Sequence, residues 1–530
     1  MEANAALPDE THSGSVPSAT REHATYRIVG TLFPRLLAGI YVIALLSWNL
    51  QWQGLVGSEG ILPLEQMMGN IQAVEDRDQT NLFWQFPTLF HWRSHDAFVG
   101  GMIYLGVAFA VLVLCGILQG PFLLILWFLY LSLVVTGNVF MGFQWDALLL
   151  EAGLLAIFAS PWRIFTPIRT QYEPPRAAIL LLHWLIFRLM FLSGLVKWAG
   201  GDTSWTDLSA LLYHYETQPL PNALSWFAHH LPKWIHQSSC AVMHLIELVL
   251  PFAIVLGKGG RRIAALGFIL LMVLVMMTGN YTYFNLLTLL LSLTLLDDAC
   301  FPQRLRAFIT KSHTEAPTAA PLWRNPRQWP SLAFGLPCLV FTLAAADGFL
   351  EGRLPGHQRL LPAPLHTLHD HAAPLRSFNA YGLFQSMTKE RPEILLEISD
   401  DGLFWVPVEF KWKPGDLSRR PAQAAPHQPR LDWQMWFAAL SPGFIPERDA
   451  HPASPTFWFG QFCTRLLQYK QPVWDLLEPP LIPMETVTHV RAKLARYHFT
   501  TPEQRQQSGH WWRSELLGPY SPPLSLPGTR

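Results

Sequence analysis

Apolar residues come in long blocks separated by short polar turns through the first two thirds of the chain; after residue 350 they shrink to alternating runs and short amphipathic stretches. Blocks at 28–50, 98–118, 119–136, 143–160, 177–197, 240–256, 263–277, 284–296 and 332–349 predict about nine membrane-spanning helices. About 20 helical residues cover a hydrocarbon core of about 30 Å, and some of the later blocks fall short of that length. Residues 1–25 are polar without an apolar core, which predicts a disordered cytoplasmic tail rather than a cleaved leader, with the first span as the insertion signal. Residues 26–350 form the expected transmembrane domain, and the Pro-, His- and Leu-rich segment 351–377 reads as an irregular connection.

Residues 378–515 have the pattern of a β-rich extramembrane module, followed by an expected flexible tail at 516–530. Runs at 392–399 and 403–410 predict two strands around Asp400-Asp401-Gly402, because Asp-Gly tolerates the positive backbone angles of hairpin turns. Helical patterns follow at 431–440, 457–467 and 486–497. The predicted fold class is thus a multi-span α-helical membrane bundle with a C-terminal mixed module, a small antiparallel β-sheet plus helices. A weak internal echo relates the stretches starting at Thr136 and Thr278, where Gly137-Asn138 and Gly279-Asn280 are expected to make tight turns.

Composition supports the membrane reading, since half of the chain is hydrophobic and 14% is charged, against about 25% charged residues in soluble domains. Basic and acidic residues balance at 38 each, so no concentrated positive field exists for nucleic acid. Arg21, Arg27, Arg163, Arg169, Arg176, Lys258, Arg261, Arg262, Arg304, Arg306, Lys311, Arg324 and Arg327 fall in turns on one side, opposite the acidic 51–97 loop. The positive-inside rule then puts the amino terminus in the cytoplasm and everything after Phe349 outside it. The expected location is a bacterial-type inner membrane with a periplasmic module, or an endoplasmic reticulum membrane with a lumenal one. Cys115, Cys240, Cys300, Cys338 and Cys463 form no CxxC pair, which removes a thioredoxin-type site and a cysteine-rich zinc site.

Candidate chemistry concentrates in 180–252. His183, Arg188, His244 and Glu247 lie within apolar blocks and Lys197 ends one of them. An ionisable group at the bilayer centre costs about 2.5–3.5 kcal/mol on insertion scales, so such residues face a bundle interior or wet cavity. Lys197, His244 and Glu247 are the candidates for proton transfer; Lys197 also suits snorkelling to the interface. His244 and Glu247 are three residues apart and share a helical face, with Arg188 or His183 as the expected partner of Glu247. Asp146 and Glu151 carry the same expectation of buried pairing. The polar loop adds Asp202, Trp205, His214 and Glu216 as cavity or binding residues. His214, His229, His230 and His236 form no HExxH-type motif, so no metal site is assigned. Arg430 and Trp433 belong to an aromatic cluster that suits either a client surface or a seam with the bundle.

The runs TSWTDLSALLYHYETQPLP from Thr203, the Gly279-Asn280-Tyr281 turn, YGLFQSMTKERPEILLEISDDGLFWVPVEFKWKPGD from Tyr381 and PHQPRLDWQMWFAAL from Pro426 resemble the lipase maturation factor family. Animal members of that family reside in the endoplasmic reticulum and are needed for folding and assembly of secreted lipases. The resemblance implies a membrane-embedded maturation factor whose partners are an exported client protein, such as a lipase, and membrane lipids. The membrane part is also distantly similar to vitamin K-dependent gamma-carboxylase, where a lysine after a helix is followed by Asp and Trp. Lys197, Asp202 and Trp205 match those positions, with Gly200-Gly201 added between them. This implies, as the alternative, a membrane enzyme acting on a lipid or peptide; no cofactor is assigned.

Overall fold

The computed structural model describes residues 24–169, 172–309, 322–441 and 457–526. Most of the expected tail at 1–25 lies outside the described residues, as do the last residues of the chain, Arg21 and Lys311. Every predicted apolar block carries a helix: α1 (Arg27–Asn49), α2 (Asp96–Cys115), α3 (Gln119–Thr136), α4 (Gln144–Ala159), α5 (Arg176–Ala199), α7 (Gly257–Thr278), α8 (Phe284–Leu293), α9 (Trp329–Glu351) and, between α5 and α7, the broken α6. The helix α6 consists of Lys233–His244, a π-helical turn over Leu245–Val249, and Leu250–Ala253.

Six of these helices, α1, α2, α3, α5, α7 and α9, are long and apolar enough to cross a membrane. The other three are shorter or interrupted, α4 with 16 residues and α8 with 10. Length and composition therefore support six spans where about nine were predicted.

Hydrogen bonds tie helix ends together at two opposite faces. At one, the Asp298 carboxylate after α8 accepts the N–H groups of Arg27 and Ile28 at 3.1 and 2.9 Å, and Arg262 of α7 bonds Asp297 at 3.0 Å. There too, Gln328 before α9 accepts the Ala177 N–H at the start of α5. These bonds satisfy amides that a helix start leaves unpaired. At the other face, Ser47 near the end of α1 meets His427 and Gln428 of the C-terminal module, and Gln218 donates to the Thr278 carbonyl that ends α7.

The two echoed turns work by close approach. Gly137 and Gly279 keep ordinary negative φ angles, and a Cβ on them would lie 2.1 Å from the Met141 side chain and from Gln218 Oε1 respectively. Asn138 and Thr282 take the left-handed angles instead. The polar 51–97 loop is partly helical: in Leu64–Asp78, Leu64, Met68 and Ile71 repeat at helical spacing and are buried. The 351–377 connection is also ordered by a helix, Ala363–Ala372, which Asp347 of α9 anchors by accepting the Leu360 and Leu361 N–H groups and facing His366 at 3.1 Å.

The module contains one antiparallel sheet in the order β2-β1-β3-β4, with β1 (Arg391–Ser399), β2 (Val406–Val408), β3 (His489–Phe499) and β4 (Trp512–Leu524). Helices Arg430–Ala439 (α10) and Phe457–Leu467 (α11) pack on it. The predicted strand 403–410 is shorter than expected, because Asp401 accepts the Leu403 and Phe404 N–H groups and holds them in a loop. The stretch 489–497 is a strand and not a helix: Val490 and Ala492, then Ala495, Tyr497 and Phe499 alternate inward, either side of a register shift. Ala, Lys, Leu and Arg favour helices, but pairing with β1 on one side and β4 on the other overrides propensity. The same pairing orders 516–524, expected in the flexible tail, as part of β4.

Candidate functional site

Local sequence explains how the charged residues of α5 and α6 meet. Pro251 has no N–H for an α-helical bond and its ring crowds the carbonyl four residues back, that of Glu247, so the helix widens there into the π turn. Gly194 on α5 lets that turn approach: a Cβ on it would lie 2.8 Å from the Glu247 Cβ. One helical turn later, Lys197 Nζ donates to both carboxylate oxygens of Glu247 at 2.8 and 2.7 Å. Both side chains are buried, 5% and 8% exposed, so Lys197 does not snorkel and is not a bare amine. Neither Arg188 nor His183 is the partner of Glu247.

The pair lines a cavity of about 390 Å³ between α5, the loop after it, α6, α7 and α8, within the usual range of about 300–1,000 Å³ for ligand sites. Leu189, Met190, Met243, Leu271, Met272 and Phe284 supply apolar walls, and Ser193 and Asn285 add polar atoms. Trp205 covers the ammonium at 5.6 Å from its ring. It is 2% exposed and its indole donates to the Phe384 carbonyl, so it is a buried wall of the cavity. His244 faces the Trp205 carbonyl at 3.2 Å, and both oxygens of Glu247 are engaged by Lys197.

Asp202 caps the short helix Thr203–Thr206 in the loop after α5. Its carboxylate accepts the Ser204 and Met387 N–H groups, tying the α5–α6 loop to the module. Burial raises its pKa, but these hydrogen bonds outweigh it and hold the carboxyl below its ordinary value. His214 Nε2 lies 3.2 Å from the Tyr281 hydroxyl, which donates to Gln218. Burial, and then the charge of Lys197, push the His214 imidazole down to about 4. His214, Tyr281 and Phe384 form an aromatic partition between this cavity and a second one of about 350 Å³ beneath the module.

Other predicted residues build separate networks. Arg188 pairs with Glu151 of α4, which also accepts the Tyr381 hydroxyl at 2.7 Å, so the chain after α9 enters the bundle. His183 faces the Thr294 carbonyl at 2.8 Å. Glu216 lies 2.9 Å from His498 and accepts the Phe499 N–H, fastening β3 to the loop. Arg430 forms a forked pair with Asp146, both bonds 2.9 Å, and the hydroxyls of Tyr130 and Tyr283 each donate to that carboxylate at 2.6 Å. Trp433 packs against Phe143, Trp145 and Tyr281. Arg430 and Trp433 therefore form the seam between module and bundle, not a free client surface.

Sequence reasoning passed over Arg391, whose buried guanidinium donates to the Glu216, Gln218 and Pro219 carbonyls, and the full role of Asn280, which bonds Leu220, Ala422, Ala424 and Ala425. A basic residue opening an apolar strand was the available signal for Arg391. Among the described residues, no group of three or more His, Cys, Asp or Glu is arranged to hold a metal ion.

The fold and these networks define an integral membrane protein whose helical bundle carries a sheet-containing module locked onto one end by buried charges. The family model for the lipase maturation factor transmembrane domain matches residues 28–303, and that for the lipase maturation factor C-terminal domain matches residues 377–522. The chain belongs to the lipase maturation factor family. It is 33% identical to human lipase maturation factor 2 over 94% of this chain and 83% of that protein. It is 33% identical to bovine lipase maturation factor 1, covering 94% of this chain and 90% of the relative, and 31% identical to the human form, covering 97% and 91%. No solved structure matches the chain significantly.

Proposed function

We propose that this protein is a membrane-embedded maturation factor for exported proteins such as lipases. The observation that carries this reading is likeness to proteins named lipase maturation factors across both the membrane part and the module, at 33% identity over 94% of the chain. The buried seam supports a single working body in which module and bundle act together. Lys197 and Glu247 serve this reading as a polar wall of the inner cavity, with His244 behind Trp205; the doubled bond from Lys197 to Glu247 favours that role over a free base. The test is an exported lipase produced in a host with and without this gene. Lipase activity per unit of secreted lipase is expected to fall when the gene is absent, and unchanged specific activity would sink the proposal.

The finer topology belongs to the same reading: nine crossings, with the module outside the cytoplasm. Its support is the alternation of helix ends between the two faces, including short α8, which starts beside the Gln218 loop and leads to Asp298 at the start of α1. Basic residues Arg262 and Arg327 lie by the Asp298 face. A reporter active only in the cytoplasm, fused after Arg530, is expected to be silent; activity there would remove the proposed orientation.

A further inference from the structure

The inner cavity holds more hydrogen-bonding capacity than its own residues use. Asn285, in the first turn of α8, is 1% exposed and lines the cavity, yet its buried Oδ1 has no hydrogen-bond partner among the described residues. Buried amide oxygens in native proteins are nearly always paired, so this atom points to a group that the chain does not supply. Lys197 has three N–H donors, of which Glu247 takes two.

Most of the remaining wall is apolar and lies on helices of the membrane domain; Ser193, His214 and Tyr281 are among the polar exceptions, and Leu383 and Phe384 of the module close one side. At the rim, Leu231 and Leu274 are 43% and 51% exposed, and α7 continues the apolar surface through Leu266 and Leu270. The cavity thus opens among side chains suited to lipid tails and not to water. Charge narrows the ligand further. Glu247 neutralises Lys197 at contact distance, so an entering carboxylate or phosphate would meet a carboxylate beside the ammonium.

We infer that this cavity binds a neutral long-chain lipid, its tail among Leu271, Met272 and Phe284, with a hydroxyl donating to Asn285 Oδ1 and an ester carbonyl accepting from Lys197. The inference goes beyond the maturation reading and needs no client, so the two fail separately.

The test uses the full chain in phosphatidylcholine nanodiscs and a diacylglycerol probe with a photoactivatable diazirine in its acyl chain. Labelling is expected on α5, α7 and α8 at cavity-lining residues, competed by untagged diacylglycerol but not by equal oleate. Asn285→Leu keeps the side-chain size and removes the orphan amide, so thermal stability is expected to hold while labelling falls about fivefold, the scale of one net hydrogen bond. Val275→Trp fills the cavity and is expected to abolish cavity labelling. Labelling spread over the outer helix faces and unchanged in both variants would overturn the inference, as would equal competition by oleate. Should Val275→Trp not fold, mass spectrometry of the solvent extract of purified unmodified protein decides. A neutral lipid near one per chain is expected, and its absence after gentle extraction counts against the site.

Discussion

Lys197 stands at the end of α5 with both oxygens of Glu247 around its ammonium, and this pairing decides which substitutions the bundle tolerates. Removing one partner of a buried pair leaves the other charged in apolar surroundings, which costs about 3–5 kcal/mol, whereas replacing both by apolar groups of similar size is often neutral. Glu247→Ala is therefore expected to lower unfolding stability in detergent by that amount, and Glu247→Leu combined with Lys197→Met to recover most of it. Equal loss in the single and double variants would show that the pair does not carry the effect. The individual charges were legible because an ionisable residue stands out in an apolar block. Their partners were not, since Lys197 and Glu247 lie 50 positions apart and helical spacing alone ties Glu247 to His244. The π turn, whose cause is Pro251, breaks that spacing and turns Glu247 toward α5.

At the scale of elements, the contact between α5 and the π turn depends on the missing side chain of Gly194. A valine there would drive its Cβ into the Glu247 Cβ and crowd Leu248, each within 3.0 Å. Overpacking of this kind costs about 1–3 kcal/mol. Gly194→Val is accordingly expected to lower the unfolding midpoint, whereas Gly101→Val on α2, where a Cβ meets nothing within 4 Å, leaves it nearly unchanged. Comparable midpoints for the two variants would refute the close-approach account. Helices were the most legible elements, because a long apolar block admits few other structures. The strand β3 was not, because Ala492, Lys493, Leu494, Ala495 and Arg496 are helix formers and its register shifts break the strict alternation that marks a strand. Span count lies between these cases: α4 and α8 are apolar enough to be seen and too short to be counted by length.

At the scale of the whole molecule, family likeness was legible in rare runs such as the one around Arg430, but the seam it builds was not. Arg430 and Asp146 are 284 positions apart, and nothing local marks them as partners. The seam also sets how stability responds to acid. His427, beside Ser47 of α1 at 2.9 Å, is pushed down to about 4 by burial and then by the charges of Arg430 and Lys411, and His214 sits at about 4 as well. Unfolded histidine titrates near about 6.5, so between those values the unfolded chain binds more protons and stability rises with pH. The contribution is present above about 6.5 and is lost as pH falls toward about 4; at pH 5 each histidine withdraws about 2 kcal/mol. Glu173, beside the Tyr26 N–H at the opposite face, acts in reverse: burial pushes it up to about 7, so its contribution is present below the ordinary carboxyl range and is lost as pH rises. Thermal unfolding of the full chain in detergent is expected to show a midpoint that falls from pH 6.5 to 4.5. His427→Gln keeps a polar group facing Ser47 without the titration and is expected to flatten that fall, whereas Glu173→Gln steepens it. Three parallel pH profiles would show that neither group is linked to folding in the way its burial requires.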